Sequence, residues 1–238
     1  MCKQEPLVSC IMPTCNRPAF ALYAIRYFLQ QDYKNKELVI VDDGTNSIQD
    51  LVPADKQIRY IRTTHTRTSG EKTNFCVRES RGSLIMQWDD DDWMAPHRIS
   101  YQVQELLAHD ADICGLQQIL YCEVFTGKCW LYKYPAKAWP WLAGNSWLYK
   151  KKYWEQQQFP DVQGAYDTHY MFSRKMENYT VLKDHTFYVA AIHASNCCSK
   201  VTTGPFWYSI DPSVVRIIIG ENSTQFHGLF NAPPVNTL

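Results

Sequence analysis

Glycine is scarce in this chain, ten in 238 residues, and the first is Gly44. P-loops and dinucleotide-binding folds need glycines directly after the first strand, where backbone amides meet phosphate, so both are excluded. The nine cysteines (2, 10, 15, 76, 114, 122, 129, 197 and 198) are odd in number and contain no CxxC pair. That fits neither a disulfide framework nor a structural zinc site, and the expectation is reduced thiols. Net charge is absent too: 24 basic residues balance 24 acidic ones. No global field draws the chain to nucleic acid or to an anionic membrane, so a partner is met in a local pocket. No segment approaches the ~18 apolar residues of a membrane span, and the N-terminus MCKQEPLVSC does not read as a leader. A cytoplasmic location is the expectation, and the glycosylation-type triplets at Asn178 and Asn222 then have no consequence. No internal repeat or linker divides the chain, so one domain of 1–238 is expected.

What is present is strand and helix in alternation. Leu7 to Met12 reads as a buried strand stopped by Pro13-Thr14-Cys15-Asn16-Arg17-Pro18, and Leu22, Ile25, Phe28 and Leu29 mark a helix between Ala19 and Gln31. Leu38 to Val41 is a strand ending in Asp42-Asp43-Gly44, and Ile58 to Arg62 is another. GEKTNFCVRESRG from Gly70 reads as a short helix before the strand at Leu84. Ile99, Val103, Leu106 and Leu107 share a face of a helix over His97 to His109, before a strand at Asp112 to Leu116. The order implies an α/β fold with a Rossmann-like, mostly parallel central sheet flanked by helices. In such sheets ligands bind beyond the carboxyl ends of the strands. Three of those ends carry polar sequence, so Pro13 to Arg17, Asp42 to Gly44 and Asp89 to Asp92 should line one crevice.

Ser83 to Pro96, SLIMQWDDDDWMAP, is the most pointed stretch. Four adjacent carboxylates repel one another, and a hard divalent cation among them relieves this more plausibly than a solvated turn, given the apolar strand before them. Strand alternation would place Asp89 and Asp91 on one side and Asp90 and Asp92 on the other.

Beyond Leu116 the period fades, and a smaller mixed region is expected. Five of the eight tryptophans (130, 139, 141, 147 and 154) fall there. Core packing accounts for most such rings, but two other roles stay open: a platform for a sugar or lipid acceptor, or a membrane-surface contact together with Lys150-Lys151-Lys152. Asp161 to Met176 presents a loop and a helix beginning near Tyr166 or Asp167, where Asp167 could simply cap the helix. Phe187 to Ile192 is a strand delivering His193, either structural or a metal ligand. Val214 to Ile219 reads as an apolar strand before the tail NAPPVNTL.

Taken in order, VSCIMPTCNRP, ELVIVDDGT, the GEKTNFCVRESRG stretch leading to WDDDDWMAPHRI, and GAYDTHYMF resemble the family-2 glycosyltransferases with the GT-A fold, across about residues 7 to 196. The resemblance implies a nucleotide-sugar-binding half over about 1–116, an acceptor and catalytic half over about 117–200, and a C-terminal extension over 201–238. It implies an inverting, non-processive transferase. Pro13, Thr14, Asn16, Arg17, Asp42 and, less firmly, Asp43 would cradle the nucleotide. Lys72, Asn74, Asp89 and Asp90 would approach the donor, and Asp89, Asp91 and Asp92 form the DxD motif that holds Mn²⁺ or Mg²⁺, with His193 completing the set. Asp167 would be the catalytic base, although Tyr166 stands where relatives carry glutamate. The implied partners are a nucleoside diphosphate sugar, a UDP-sugar first, and a glycan, lipid-linked or small-molecule acceptor. Nucleic acid is not among them. A catalytically inactive carbohydrate-binding module and a sugar nucleotidyltransferase are the alternatives; the latter lacks its glycine-rich loop.

Overall fold

The computed structural model describes residues 5–65, 67–135, 140–174 and 176–220. The tail NAPPVNTL, Trp139, Asn222 and Cys2 lie outside them. Strand β1 (Val8–Thr14), helix α1 (Pro18–Leu29), strands β2 (Lys36–Asp42) and β3 (Ile58–Arg62), helix α2 (Ser69–Glu79), strands β4 (Leu84–Gln87) and β5 (Trp93–Met94), and helix α3 (Arg98–Ala108) make up the first half. Then come β6 (Ile113–Gly115), β7 (Gln118–Glu123), β8 (Cys129–Lys133), β9 (Leu148–Lys150), α4 (Lys151–Gln156) and α5 (Tyr166–Ser173). The chain continues with β10 (Tyr179–Val181), β11 (Tyr188–Ile192), β12 (Trp207–Ile210) and α6 (Pro212–Ile219).

A seven-stranded sheet has the order β10-β6-β9-β4-β1-β2-β3. Its centre is parallel, because β1 pairs in parallel with both β2 and β4, and β2 with β3. Such strands are covered on both faces, which is why LVIV in β2 is apolar without alternation and wholly buried. Cys10, Met12, Leu38, Ile40 and Met86 pack on one face with Ile25 and Phe28 of α1 and Ile99 and Leu106 of α3. Ile11, Val41, Ile85 and Ile113 pack on the other with Cys76 and Val77 of α2 and Tyr170 and Met171 of α5. A five-stranded sheet, β12-β8-β7-β11-β5, stands beside it.

Two expectations are corrected. Pro13 does not stop the first strand, which runs on to Thr14 with Pro13 opposite Val41. The carbonyl of Ile11 accepts from Trp88 N on the β4 side, and Pro13, two residues on, faces the same side where β4 has already ended, so no ladder bond is lost. Val214 to Ile219 is helical: Asp211 caps α6 by accepting from Ser213 N, Pro212 occupies its first turn, and Val215 and Ile219 are buried one turn apart. The smaller mixed region expected after Leu116 is found in the second sheet, which has parallel and antiparallel pairs, while β9 leaves it to insert antiparallel between β4 and β6 of the large sheet.

Candidate active site

Because β1, β2 and β4 are parallel neighbours, their carboxyl ends open on one edge, and the loops that follow them meet. A cavity of about 570 Å³ lies there. Its lining includes Pro13, Thr14, Arg17, Asp43, Arg67 and Lys72, the run Asp89 to Asp92, Tyr121 of β7, and Trp141 and Lys200 from loops.

The four aspartates leave the strand in a bend, so strict alternation does not hold. Asp90 and Asp91 both turn to Arg17, with ion-pair distances of 2.7 and 2.7 Å, and Thr14 Oγ1 donates to the other oxygen of Asp90 at 2.6 Å. Asp92 accepts from the Tyr188 hydroxyl, from Ala191 N at 2.8 Å and from Asn145 Nδ2 at 3.3 Å, which ties the bend to β11. Asp91 Oδ2 also meets His193 Nε2 at 3.1 Å and Asn196 Nδ2 at 3.4 Å. Burial pushes the Asp90 carboxyl up to about 6 against the pull of Arg17, and pushes Asp92 up to about 7 with help from the Asp91 charge. Burial would raise Asp91 as well, but Arg17 and His193 bring it below its ordinary value. Asp89 is raised well above its ordinary value by burial and by the charges of Asp92, Asp91 and Asp90.

Asp89, Asp91 and Asp92 each offer a carboxylate oxygen, all within 4.8 Å of one another. Among the described residues the Asp89 carboxylate makes no hydrogen bond or ion pair. A crowded oxygen donor set of this kind, with Asp89 left without a partner among the described residues, fits a hard divalent cation. His193 is outside the triad: its ring stacks on Phe20 at 4.5 Å and its Nδ1 lies 2.8 Å from Ser195 Oγ.

Two donor-side expectations are corrected. Asp42 is wholly buried, one oxygen accepting from Gly44 N at 2.9 Å and the other from Tyr60 Oη at 2.8 Å and Ile48 N at 3.2 Å. Its carboxylate shapes the loop and does not line the cavity. Asp43 does, bonded to Lys72 and to Arg67 N. Asn74 is likewise spent inside the fold, donating to Phe159 O at 2.9 Å and accepting from Trp154 Nε1 at 2.9 Å and Phe159 N at 3.0 Å. Asn16, in the left-handed region at φ 55°, braces the second loop through Asn46 N at 2.9 Å.

Asp167 is not a helix cap. The cap position of α5 is Ala165, no side chain bonds there, and Asp167 is the helix's second residue, facing the cavity. Its carboxylate lies against Gly144, where any Cβ would overlap it. Tyr166 lines the cavity beside it and packs edge-on against Phe159, and burial pushes its phenol well up. Gly144, Asn145, Tyr188 and Asn196 were not singled out by sequence; the one readable signal was Asn196, four residues past the end of a strand that delivers polar side chains. Lys150 is bound to Asp110 and Asp112 at 3.1 and 3.1 Å, and Lys151 donates to Ser80 O at 2.6 Å, so two of the three adjacent lysines are occupied within the fold.

The mostly parallel central sheet flanked by helices is the fold of the GT-A glycosyltransferases. The sequence model described as "Glycosyl transferase family 2" matches residues 9–180, and the chain belongs to that family. A putative colanic acid biosynthesis glycosyl transferase of Escherichia coli K12 is 35% identical over 141 residues, 56% of this chain and 50% of that protein. A GalNAc(5)-diNAcBac-PP-undecaprenol beta-1,3-glucosyltransferase of Campylobacter jejuni is 28% identical over 117 residues, 46% of this chain and 38% of its own. The chain spans half or less of the length of these two relatives. Among solved structures, S. aureus TarS in complex with UDP-GlcNAc aligns with TM-score 0.67 at 15% identity, covering 90% of this chain and 64% of that one. A mannosyltransferase of Pyrobaculum calidifontis in complex with GDP-Man and Mn²⁺ aligns with TM-score 0.64 at 20% identity, covering 81% and 59%.

Proposed function

We propose that this protein is an inverting, non-processive glycosyltransferase that moves a sugar from a nucleoside diphosphate sugar to an acceptor hydroxyl. The observation that carries the reading is the placement of Asp167 and the Asp89, Asp91 and Asp92 triad in one cavity. Inversion needs a base on the acceptor side and charge neutralisation on the leaving diphosphate. Asp167 takes the proton from the acceptor hydroxyl as that oxygen attacks the anomeric carbon. Lys72 and Arg67, both bonded to Asp43 and both lining the cavity, meet the nucleotide and its phosphates. Asp89, Asp91 and Asp92 would hold a divalent cation, Mn²⁺ or Mg²⁺, which supplies Lewis-acid stabilisation to the leaving diphosphate. Arg17 keeps Asp90 and Asp91 in register by charge-assisted contacts. His193 orients Asp91 through Nε2. That structural neighbours bind UDP, UDP-GlcNAc and GDP-Man supports a nucleotide-sugar donor, with UDP-sugars the first to try.

Product analysis tests this. The purified chain with Mn²⁺ and a panel of nucleotide sugars should release nucleoside diphosphate, slowly to water and faster to an acceptor, with the anomeric configuration inverted by NMR. Pyrophosphate release would assign nucleotidyl transfer instead. Tight nucleotide-sugar binding with neither hydrolysis nor transfer would assign a binding module.

A further inference from the structure

Part of the cavity wall carries chemistry to which the reading above gives no role. Trp141 and Tyr121 are among the lining residues. Both rings are fixed from behind. Trp141 is stacked on Tyr134 at 4.7 Å and meets Tyr132 edge-on at 5.8 Å, while its carbonyl accepts from Gln117 Nε2 at 3.1 Å. Tyr121 packs on Trp207 at 4.7 Å. Both are tied to the neighbourhood of Asp167, because Trp141 precedes by three residues the Gly144 against which Asp167 lies, and Tyr121 feels the charges of Asp92 and Asp167. Lys200 also lines the cavity, its Nζ 5.8 Å from the Tyr121 ring.

The cavity's cations differ in how they are satisfied. Arg17 is paired with Asp90 and Asp91, Lys72 with Asp43, and Arg67 with Glu71 at 3.9 Å. Lys200 has no carboxylate within ion-pair distance among the described residues. A half-buried indole held rigid by its neighbours presents a fixed π face at low entropic cost, and the weakly positive C–H bonds of a pyranose ring sit well against such a face. An ammonium over the Tyr121 ring with no carboxylate of its own favours an anion.

We propose that Trp141, Tyr121 and Lys200 form the acceptor subsite, and that the acceptor is a saccharide whose ring stacks on Trp141 while a carboxylate or phosphate on it pairs with Lys200. The inference rests on the transferase reading above and narrows its acceptor to an anionic glycan.

The test is saturation-transfer NMR on the full chain held with UDP and Mn²⁺, using methyl glucoside, methyl glucuronide and glucose 6-phosphate as probes. A thermal shift with UDP and Mn²⁺ runs alongside on every variant. In the wild type the ring protons of all three sugars should receive saturation, with one or both anions binding several-fold more tightly than the neutral glucoside; the tighter anion names the source. Trp141→Ala should abolish saturation of all three, Trp141→Tyr should restore it in part, and Lys200→Ala should remove the anion preference while leaving methyl glucoside unchanged. The UDP shift should persist throughout. If UDP shifts the melting point but no sugar is saturated, or if Trp141→Ala changes nothing, the subsite is overturned while the donor reading stands. Equal binding of neutral and anionic sugars in the wild type overturns the role of Lys200. If neither UDP nor GDP gives a shift yet the sugars bind in a Trp141-dependent way, the subsite stands and the donor reading fails.

Discussion

At the scale of single residues, the candidate site separates side chains that face the cavity from those spent on holding it. Asp42 and Asp43 are adjacent and chemically identical, yet Asp42 closes its own loop while Asp43 lines the cavity. Nothing in the string DDG distinguishes them, because the difference is set by which way one peptide unit turns at the end of β2. Asn74 shows the same limit: its position on α2 was readable, but its partners Trp154 and Phe159 come from 80 and 85 residues away. The aspartate run was legible because four contiguous carboxylates at the end of an apolar strand repel one another unless cations answer their charge. Asp167 and Gly144 give a paired prediction. Asp167→Asn should leave nucleotide binding intact and lower turnover by ~10²- to 10⁴-fold, the usual contribution of a general base. Gly144→Ala keeps the carboxylate but leaves no room for it where it now lies, so turnover should also fall sharply, with nucleotide affinity retained. Steady-state kinetics beside nucleotide titration checks both; full turnover in Asp167→Asn would remove that residue from the mechanism.

At the scale of elements, the alternation of β1 through α3 was readable because strands buried on both faces need uninterrupted apolar runs, and helices covering them need apolar residues three and four apart. Where those conditions lapse, so does legibility. The VVRIII run of α6 has the β-branched composition of a strand, and only Asp211-Pro212 ahead of it marks a helix start. β9 is three residues long and lies between Trp147 and Lys151, so its place in the large sheet depends on partners distant in sequence. The α2 start joins the two halves of the site: Thr68 Oγ1 accepts from Glu71 N at 3.2 Å as the cap and donates to Asp161 at 2.5 Å in the loop before α5. Thr68→Ala should therefore lower stability by about 1 kcal/mol, the usual worth of a cap, and it should loosen the approach of α5. Denaturant unfolding measures the first effect, and an accompanying drop in turnover reports the second.

For the whole molecule, one cavity at the junction of two sheets joins fold to chemistry, and it stores unfavourable charge. Asp90 and Asp92 have folded-state values of about 6 and about 7, above their ordinary 3.8. Between 3.8 and about 7 the folded chain binds protons that the unfolded chain has lost, so this contribution to stability is fully present below 3.8 and is lost as pH rises from there through about 6 and about 7. The metal-free melting temperature should accordingly fall over that interval, less steeply in Asp92→Asn, and Mn²⁺ should bind more tightly as pH rises because ligation needs ionised carboxylates. A pH series of melting curves with and without Mn²⁺ checks the sign; a metal-free melting temperature that rises across the same interval would contradict the charge account. The central claim, that this cavity takes a nucleoside diphosphate together with a divalent cation, is tested most directly by thermal stability with UDP and with GDP, each with and without Mn²⁺. A nucleotide at ~100 times its Kd adds ~2.7 kcal/mol to the folded state, so one of the two should raise the melting temperature clearly, and only when Mn²⁺ is present. No shift with either nucleotide at millimolar concentration, from a chain shown to be folded, would contradict it.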